Sequence, residues 1–281
     1  MWCTHKKECT IHLTKLLDKL RGKHGGDSFL VADASNKLGV LYERQELFDD
    51  AKKCYEEVVR IDSLQSEYNN NVAGNLYNLG MIARKQGDDG KAREMYEKAL
   101  HITTSVHGVD HMRSLPSLQG LVILSEKKEN WEEALQRYKR ILRIYQTDAL
   151  NRSAEITMVR TNISIILGKL GKLKKAIKIC KQVVSSTRST DNQLDIGHAL
   201  VHLAASQIDA SELVGARDSL EEALPILRRI TGEKSSTVAG ALNLLANIYN
   251  LEHNLDQALR VHHKALRYST RGPVDPSLKQ D

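Results

Sequence analysis

Proline is scarce in this chain, four among 281 residues, and aromatic residues make up only 5%. Interior prolines break helices, so the shortage leans towards helix. No apolar run approaches the roughly 18 residues that span a bilayer. The opening MWCTHKKECT puts Lys6, Lys7 and Glu8 where a signal peptide needs an apolar stretch. The four cysteines (Cys3, Cys9, Cys54, Cys180) show neither CxxC nor metal-ligand spacing, and read as reduced thiols of a cytoplasmic protein. GxSxG, P-loop and HExxH patterns are all missing, so no catalytic constellation emerges and no cofactor or metal is expected. Acidic residues are missing from one stretch alone. Between Glu155 and Asp191 stand eight cations: Arg160, Lys169, Lys172, Lys174, Lys175, Lys178, Lys181 and Arg188. The net charge of +6 is therefore a local feature, and does not by itself mark a nucleic-acid binder.

What the chain does have is internal repetition. Aligned on Ala51, Ala92, Ala134, Ala176, Ala216 and Ala258, it steps by 41, 42, 42, 40 and 42 residues. Thirteen residues earlier every copy is aliphatic: Leu38, Leu79, Leu121, Ile163, Leu203 and Leu245. Eight residues later every copy is aliphatic again, from Val59 to Leu266. Each copy reads as two amphipathic helices with 3–4 spaced stripes. One pair cannot bury its own stripe, so each copy covers the next. Small residues (Gly39, Gly80, Ser164, Ala204, Ala246, with Val122 the exception) recur where the two helices come closest. Tyr55, Tyr96 and Tyr138, four residues past the aligned Ala, are expected to fill the space beside them.

A small residue in one helix, Ala twelve residues on, an aromatic at plus four and Ala at plus seven resembles the tetratricopeptide repeat. That family's usual period is about 34. The longer period here, with the joints HGGDS, HGVDH and TGEKS, resembles the variant found in kinesin light chains and nephrocystin-like proteins. The other three joints, around Ser66, Leu150 and Thr190, lack the glycine. The resemblance implies an all-α fold, a right-handed α-solenoid superhelix of tandem helix pairs. It also implies that first helices line a concave groove and second helices the outside. Kinesin light chains attach to their motor through an N-terminal heptad region that has no counterpart here.

The expected organisation is a half repeat or cap over residues 1–28, then six repeats at 29–68, 69–110, 111–152, 153–193, 194–234 and 235–270. Residues 271–281, with two prolines and little apolar content, read as a disordered tail. In the half repeat, Cys9, Leu13 and Leu16 take the small, plus-four and plus-seven places; it is either a cap or the start of a fragment. His262 and His263 are expected on the exposed side of a terminal cap, and Pro225 is expected to kink or end its helix.

The candidate binding surface follows from the implied groove. Its residues are Asn36, Arg44, Tyr77, Arg84, Lys85, Gln119, Lys127 and Lys169, with Asn243, Asn247 and Asn250 in the last copy. Arg44, Lys85, Lys127 and Lys169 form a cationic ladder suited to a short acidic peptide, and the amides suit its backbone. The same cations end first helices, where the dipole alone accounts for them. Lys174, Lys178 and Lys181 share a face of a second helix. They are either a solvated outer surface or a basic patch for anionic membrane or nucleic acid. Few aromatics interleave with them, which argues against single-stranded nucleic acid. His198 and His202 have i, i+4 zinc-ligand spacing but no third ligand nearby. The expected partner is a protein or peptide rather than a small-molecule substrate; the sequence leaves its identity and the oligomeric state open.

Overall fold

The computed structural model describes residues 2–64, 66, 70–148, 152–189 and 192–269, with side chains from Cys9 onward. Helices account for almost all of it. They are α1 (Trp2–His24), α2 (Phe29–Arg44), α3 (Phe48–Ser63), α4 (Asn70–Lys85), α5 (Asp89–His107), α6 (Leu115–Lys127) and α7 (Trp131–Thr147). They continue as α8 (Ser153–Lys169), α9 (Leu173–Arg188), α10 (Gln193–Asp209), α11 (Leu213–Thr231), α12 (Ser236–Leu251) and α13 (Leu255–Ser269). A short 3-10 turn, Met112–Ser114, leads into α6. The chain divides into two compact units, Met1–Leu150 and Asn151–Asp281. Each unit is an all-α solenoid of tandem antiparallel helix pairs.

The pairs are α2/α3, α4/α5 and α6/α7 in the first unit, and α8/α9, α10/α11 and α12/α13 in the second. Within every pair the turn is the same object. The amide five residues before the aligned Ala (Glu46, Gly87, Glu129, Gly171, Ser211, His253) bonds back three residues at 2.9–3.1 Å. The next amide reaches back five residues at 2.8–2.9 Å. This double closure ties off the first helix through a residue of positive φ, between 53° and 85° in all six copies. The following carbonyl then accepts the amide of the aligned Ala at 3.0–3.1 Å, which starts the second helix. Glycine fills the left-handed position in only two copies, so the column escapes a sequence search.

The close approach within a pair is visible at two glycines. A Cβ added to Gly39 would stand 2.8 Å from the Tyr55 ring, and one added to Gly80 would stand 2.6 Å from the Tyr96 ring. Tyr96 also lies against Gly120 of α6. The expected exchange, small residue on one helix and ring on the other, is thus how these pairs close. The principal neighbours of α3, α5, α9 and α11 are the first helices on either side of each. First helices of successive pairs also touch each other, α4 with α6, α8 with α10 and α10 with α12. First helices therefore share one face within each unit.

Two local expectations are corrected. In α1 the inward stripe is Leu13, Leu17 and Leu20, while Leu16 is exposed, so the half-repeat register is off by one residue. Pro225 does not end α11, which runs six residues beyond it. The ring is exposed, so the carbonyl it strands faces water, while Leu224 and Leu227 hold the opposite face in the core. On α13, His262 and His263 are exposed as expected, with Leu255, Leu259 and Leu266, 60%, 58% and 58% exposed, on the same helix. The expectation for residues 271–281 lies outside the described residues.

Candidate peptide-binding surface

In the first unit, Asn36 and Arg44 stand on α2, Tyr77, Arg84 and Lys85 on α4, and Gln119 and Lys127 on α6. Asn36, Tyr77 and Arg84 are half-buried and the rest are exposed. The ladder is partly occupied from within. Lys85 Nζ lies 3.2 Å from Glu43 of the preceding pair and 5.3 Å over the Phe48 ring. Lys127 Nζ lies 2.6 Å from Asp89. Arg44 and, in the second unit, Lys169 meet no acid among the described residues. A ladder whose middle rungs already hold carboxylates attracts an acidic peptide less than the sequence alone suggests.

A second regularity lies behind the ladder. Tyr55 donates its hydroxyl to Glu43 at 3.3 Å, and Tyr138 donates to Glu126 at 2.9 Å. Burial, reinforced by Glu43, pushes the Tyr55 phenol far above its ordinary pKa, so it remains a donor. The corresponding residue of the intervening pair is not an acid but Arg84. Tyr96 is fully buried there, its hydroxyl beside the Arg84 guanidinium in place of an acid, and Arg84 Nε finds no acceptor among the described residues. Burial raises the Tyr96 phenol's pKa, and the neighbouring Arg84 guanidinium opposes that rise. Tyr77 packs beside it, ring centroids 5.6 Å apart. In the first unit, the pair that departs from the tyrosine–glutamate pattern thus sets a half-buried cation, not an acid, beside its buried phenol.

In the second unit, a groove of about 460 Å³ opens between α8 and α10. Its floor carries Met158 and Ile165, 51% and 45% exposed and seven residues apart on one face of α8. Thr161, Asp195, His198 and His202 supply the polar rim. Among the described residues no cluster of three His, Cys, Asp or Glu forms a metal site. Desolvation, with His198 adding to it, holds the His202 imidazole below its ordinary pKa. Asn243, Asn247 and Asn250 are exposed on α12 but do not act as one column. Asn243 is drawn towards α13, 3.3 Å from His262, at a cavity of about 320 Å³. Lys174, Lys178 and Lys181 line a separate shallow cavity of about 580 Å³ on α9, with no ion pair among the described residues. No described helix is long and apolar enough to cross a membrane.

Tetratricopeptide repeat family models match residues 71–147, 32–63 and 159–190. Among curated proteins, the chain is 28% identical over 208 residues to the RxLR effector protein SFI4 of Phytophthora infestans (strain T30-4). It is 26% identical over 189 residues to the secreted RxLR effector protein RXLR-C07 of Plasmopara halstedii. These matches take in 72% and 66% of this chain, and 60% and 57% of the two relatives' own length. The pattern RxLR in those names occurs here once, at Arg140–Arg143. In this fold it is a turn of α7: Ile141 is buried, Arg140 bonds the Val109 carbonyl at 3.1 Å and Arg143 pairs with Asp110 at 3.2 Å.

Among solved structures, the C-terminal part of a TPR repeat-containing protein from Cytophaga hutchinsonii matches with a TM-score of 0.65 at 15% identity, covering 99% of both chains. A putative kinesin light chain from Podosopora anserina, with nearly identical TPR-like repeats, matches at 0.59 and 17% identity, covering 70% of this chain and 95% of that one. Identities this low speak to fold alone. The six turns of one hydrogen-bond pattern, the tyrosine-on-glycine closures and the family matches agree: the chain is a tetratricopeptide-repeat protein of the α-solenoid superfamily, a repeat class that mediates protein–protein interaction.

Proposed function

We propose that this chain is the interaction domain of an effector-type protein, and that the first helices of its first unit hold a short, carboxylate-bearing segment of a partner protein. The carrying observation is the break at Arg84. In the pairs on either side, a glutamate accepts the tyrosine hydroxyl from within the chain. Here a half-buried guanidinium stands beside the tyrosine in place of the acid, next to Tyr77 and Met81, and its Nε has no acceptor among the described residues. An aspartate or glutamate brought by the partner would pair with the planar guanidinium. Arg44 and Gln119 would flank the segment, while Lys85 and Lys127 would first have to release Glu43 and Asp89. Likeness to the two effector proteins supports the effector-type reading. The buried thiols of Cys54 and Cys180 suit a reducing cytoplasm. Burial raises the Cys54 pKa to about 11, which keeps it unreactive.

The test is Arg84→Glu. It supplies Tyr96 with the acceptor its sister tyrosines have, so the thermal midpoint should rise, by about 1 kcal/mol of stability. Affinity for acidic peptides in an array should fall about tenfold or more. A variant that binds such peptides as well as the natural chain sinks the reading. A second reading, docking of the α9 face on anionic membrane or nucleic acid, is supported by the unpaired Lys174, Lys178 and Lys181. It requires salt-sensitive binding that tracks those lysines and ignores Arg84.

A further inference from the structure

We propose that the α5–α6 joint is a pH-sensitive coupling between the second and third helix pairs, closed while His107 and His111 are neutral and loosened when acid charges them. Gly108, with a φ of 93°, folds the chain back at the end of α5. The reversal lays the His111 imidazole on that of His107, ring centroids 4.5 Å apart and planes within 19°. Each ring is also tied by a hydrogen bond. His107 Nε2 donates to Asn70 Oδ1 at the start of α4, at 2.6 Å. His111 Nδ1 accepts the Arg113 amide at 3.2 Å, which caps the Met112–Ser114 turn leading into α6. Nδ1 can accept only while it carries no proton. A proton on His111 therefore removes the cap, and one on His107 as well sets two cations face to face.

A sister joint shows the same place built without titratable groups. Between α11 and α12, Thr231 and Ser235 take the positions of His107 and His111 about Gly232, and their hydroxyls bond at 2.6 Å. Ser235 accepts the Val238 amide there and so caps α12. At the α1–α2 joint the capping residue is again a serine, Ser28. The surroundings of the histidine pair offer a charged stack little relief. Among the described residues, the charged groups at the joint are Asp110 and Arg113, with Arg140 and Arg143 reaching in from α7. The start of α4 brings the neutral Asn70, and the start of α6 brings no charge. Asp110, the acid among them, is already held by Arg143 at 3.2 Å, with Arg140 3.8 Å away. Burial, then the His111 and Arg113 charges, keep the His107 imidazole below its ordinary pKa of 6.5. The unfolded chain thus takes that proton first, so the closed joint has its full stability above pH 6.5 and loses it as pH falls below that value. Because α4 and α6 touch and carry Tyr77, Arg84 and Gln119, loosening the joint also spreads the proposed peptide surface. The joint's own response does not depend on that reading.

The experiment is hydrogen exchange of the whole chain, with no peptide present, at about pH 7.5 and about pH 5.5. Corrected for intrinsic exchange rates, protection of the Gly108, Arg113 and Ser114 amides should fall about tenfold at the lower pH. The turn at Gln86, Gly87 and Asp88, which contains no group titrating in this range, should keep its protection. His107→Thr with His111→Ser copies the α11–α12 pair into this joint and should make protection equal at the two pH values. His111→Ser alone keeps a capping hydroxyl and removes one charge, so most of the loss should disappear. A natural chain equally protected at both pH values overturns the proposal. So does a loss as large as the natural chain's in either variant.

Discussion

The turns inside the helix pairs and the joints between them obey different rules. Inside, six turns share one hydrogen-bond pattern with six different residue sets: Gln-Glu-Leu, Gln-Gly-Asp, Lys-Glu-Asn, Leu-Gly-Lys, Ala-Ser-Glu and Glu-His-Asn. Between pairs, α5 and α11 end at Gly108 and Gly232, and the α1–α2 joint holds Gly25, all with positive φ; the other three joints lack that glycine. A pair is therefore a unit of fixed internal geometry, and variation is spent on how one unit meets the next. Binding surfaces in such arrays are built across units, so this is where new specificity costs least stability.

Glycine separates the two kinds of place most sharply. Gly80 is needed for space, because its missing Cβ is where the Tyr96 ring lies. Gly80→Val should cost about 3 kcal/mol and lower the thermal midpoint by several degrees. Gly108 is needed for its φ of 93°, with nothing within 4 Å of an added Cβ. Gly108→Ala should therefore cost about 1 kcal/mol, from strain alone. Equal losses at the two sites would abolish the distinction between packed pair and adjustable joint.

Pairs are also tied together by arms of opposite charge. The strongest runs from α5 to α7, where Glu133 accepts from Arg93 at 2.8 Å, Arg137 at 2.7 Å and Ser125 at 2.9 Å. Arg137 and then Arg93 hold the Glu133 pKa at about 2, against an ordinary 4.5, although burial opposes them. A depressed folded pKa means this contribution is full above about pH 4.5 and is lost as pH falls towards 2. After solvent screening it amounts to about 1–2 kcal/mol. Glu133→Gln should destabilise by that amount at neutral pH, and the gap to the natural chain should close below pH 4.5 in acid melts. The exposed Arg188–Glu222 arm, at 2.6 Å on α9 and α11, should give a smaller effect in the same melts.

The architecture was legible because it rests on periodicity: small residue, Ala, ring and aliphatic column all survive in register, and each is a packing demand. The candidate surface was legible only as a set of positions. Arg44, Lys85 and Lys127 stand on first helices, as expected, but Glu43 and Asp89, which answer two of them, come from neighbouring pairs some forty residues away. Arg84 was found as one more cation; its meaning appears only when Glu43 and Glu126 are seen bonded to Tyr55 and Tyr138.

The left-handed residue of the turns gives the finest version of the comparison. A non-glycine residue there carries roughly 1 kcal/mol of strain, which four of the six copies accept at Glu46, Glu129, Ser211 and His253. Glu129→Gly should stabilise by about 0.5 kcal/mol, the relief being reduced by the extra freedom glycine gives the unfolded chain. Gly171→Ala, the reverse exchange one copy along, should destabilise by a similar amount. Because the turn's hydrogen bonds are the same at both sites, the two changes should nearly cancel in the double variant. A double variant clearly less stable than the natural chain would mean that the six turns, alike in their backbones, are not interchangeable in energy.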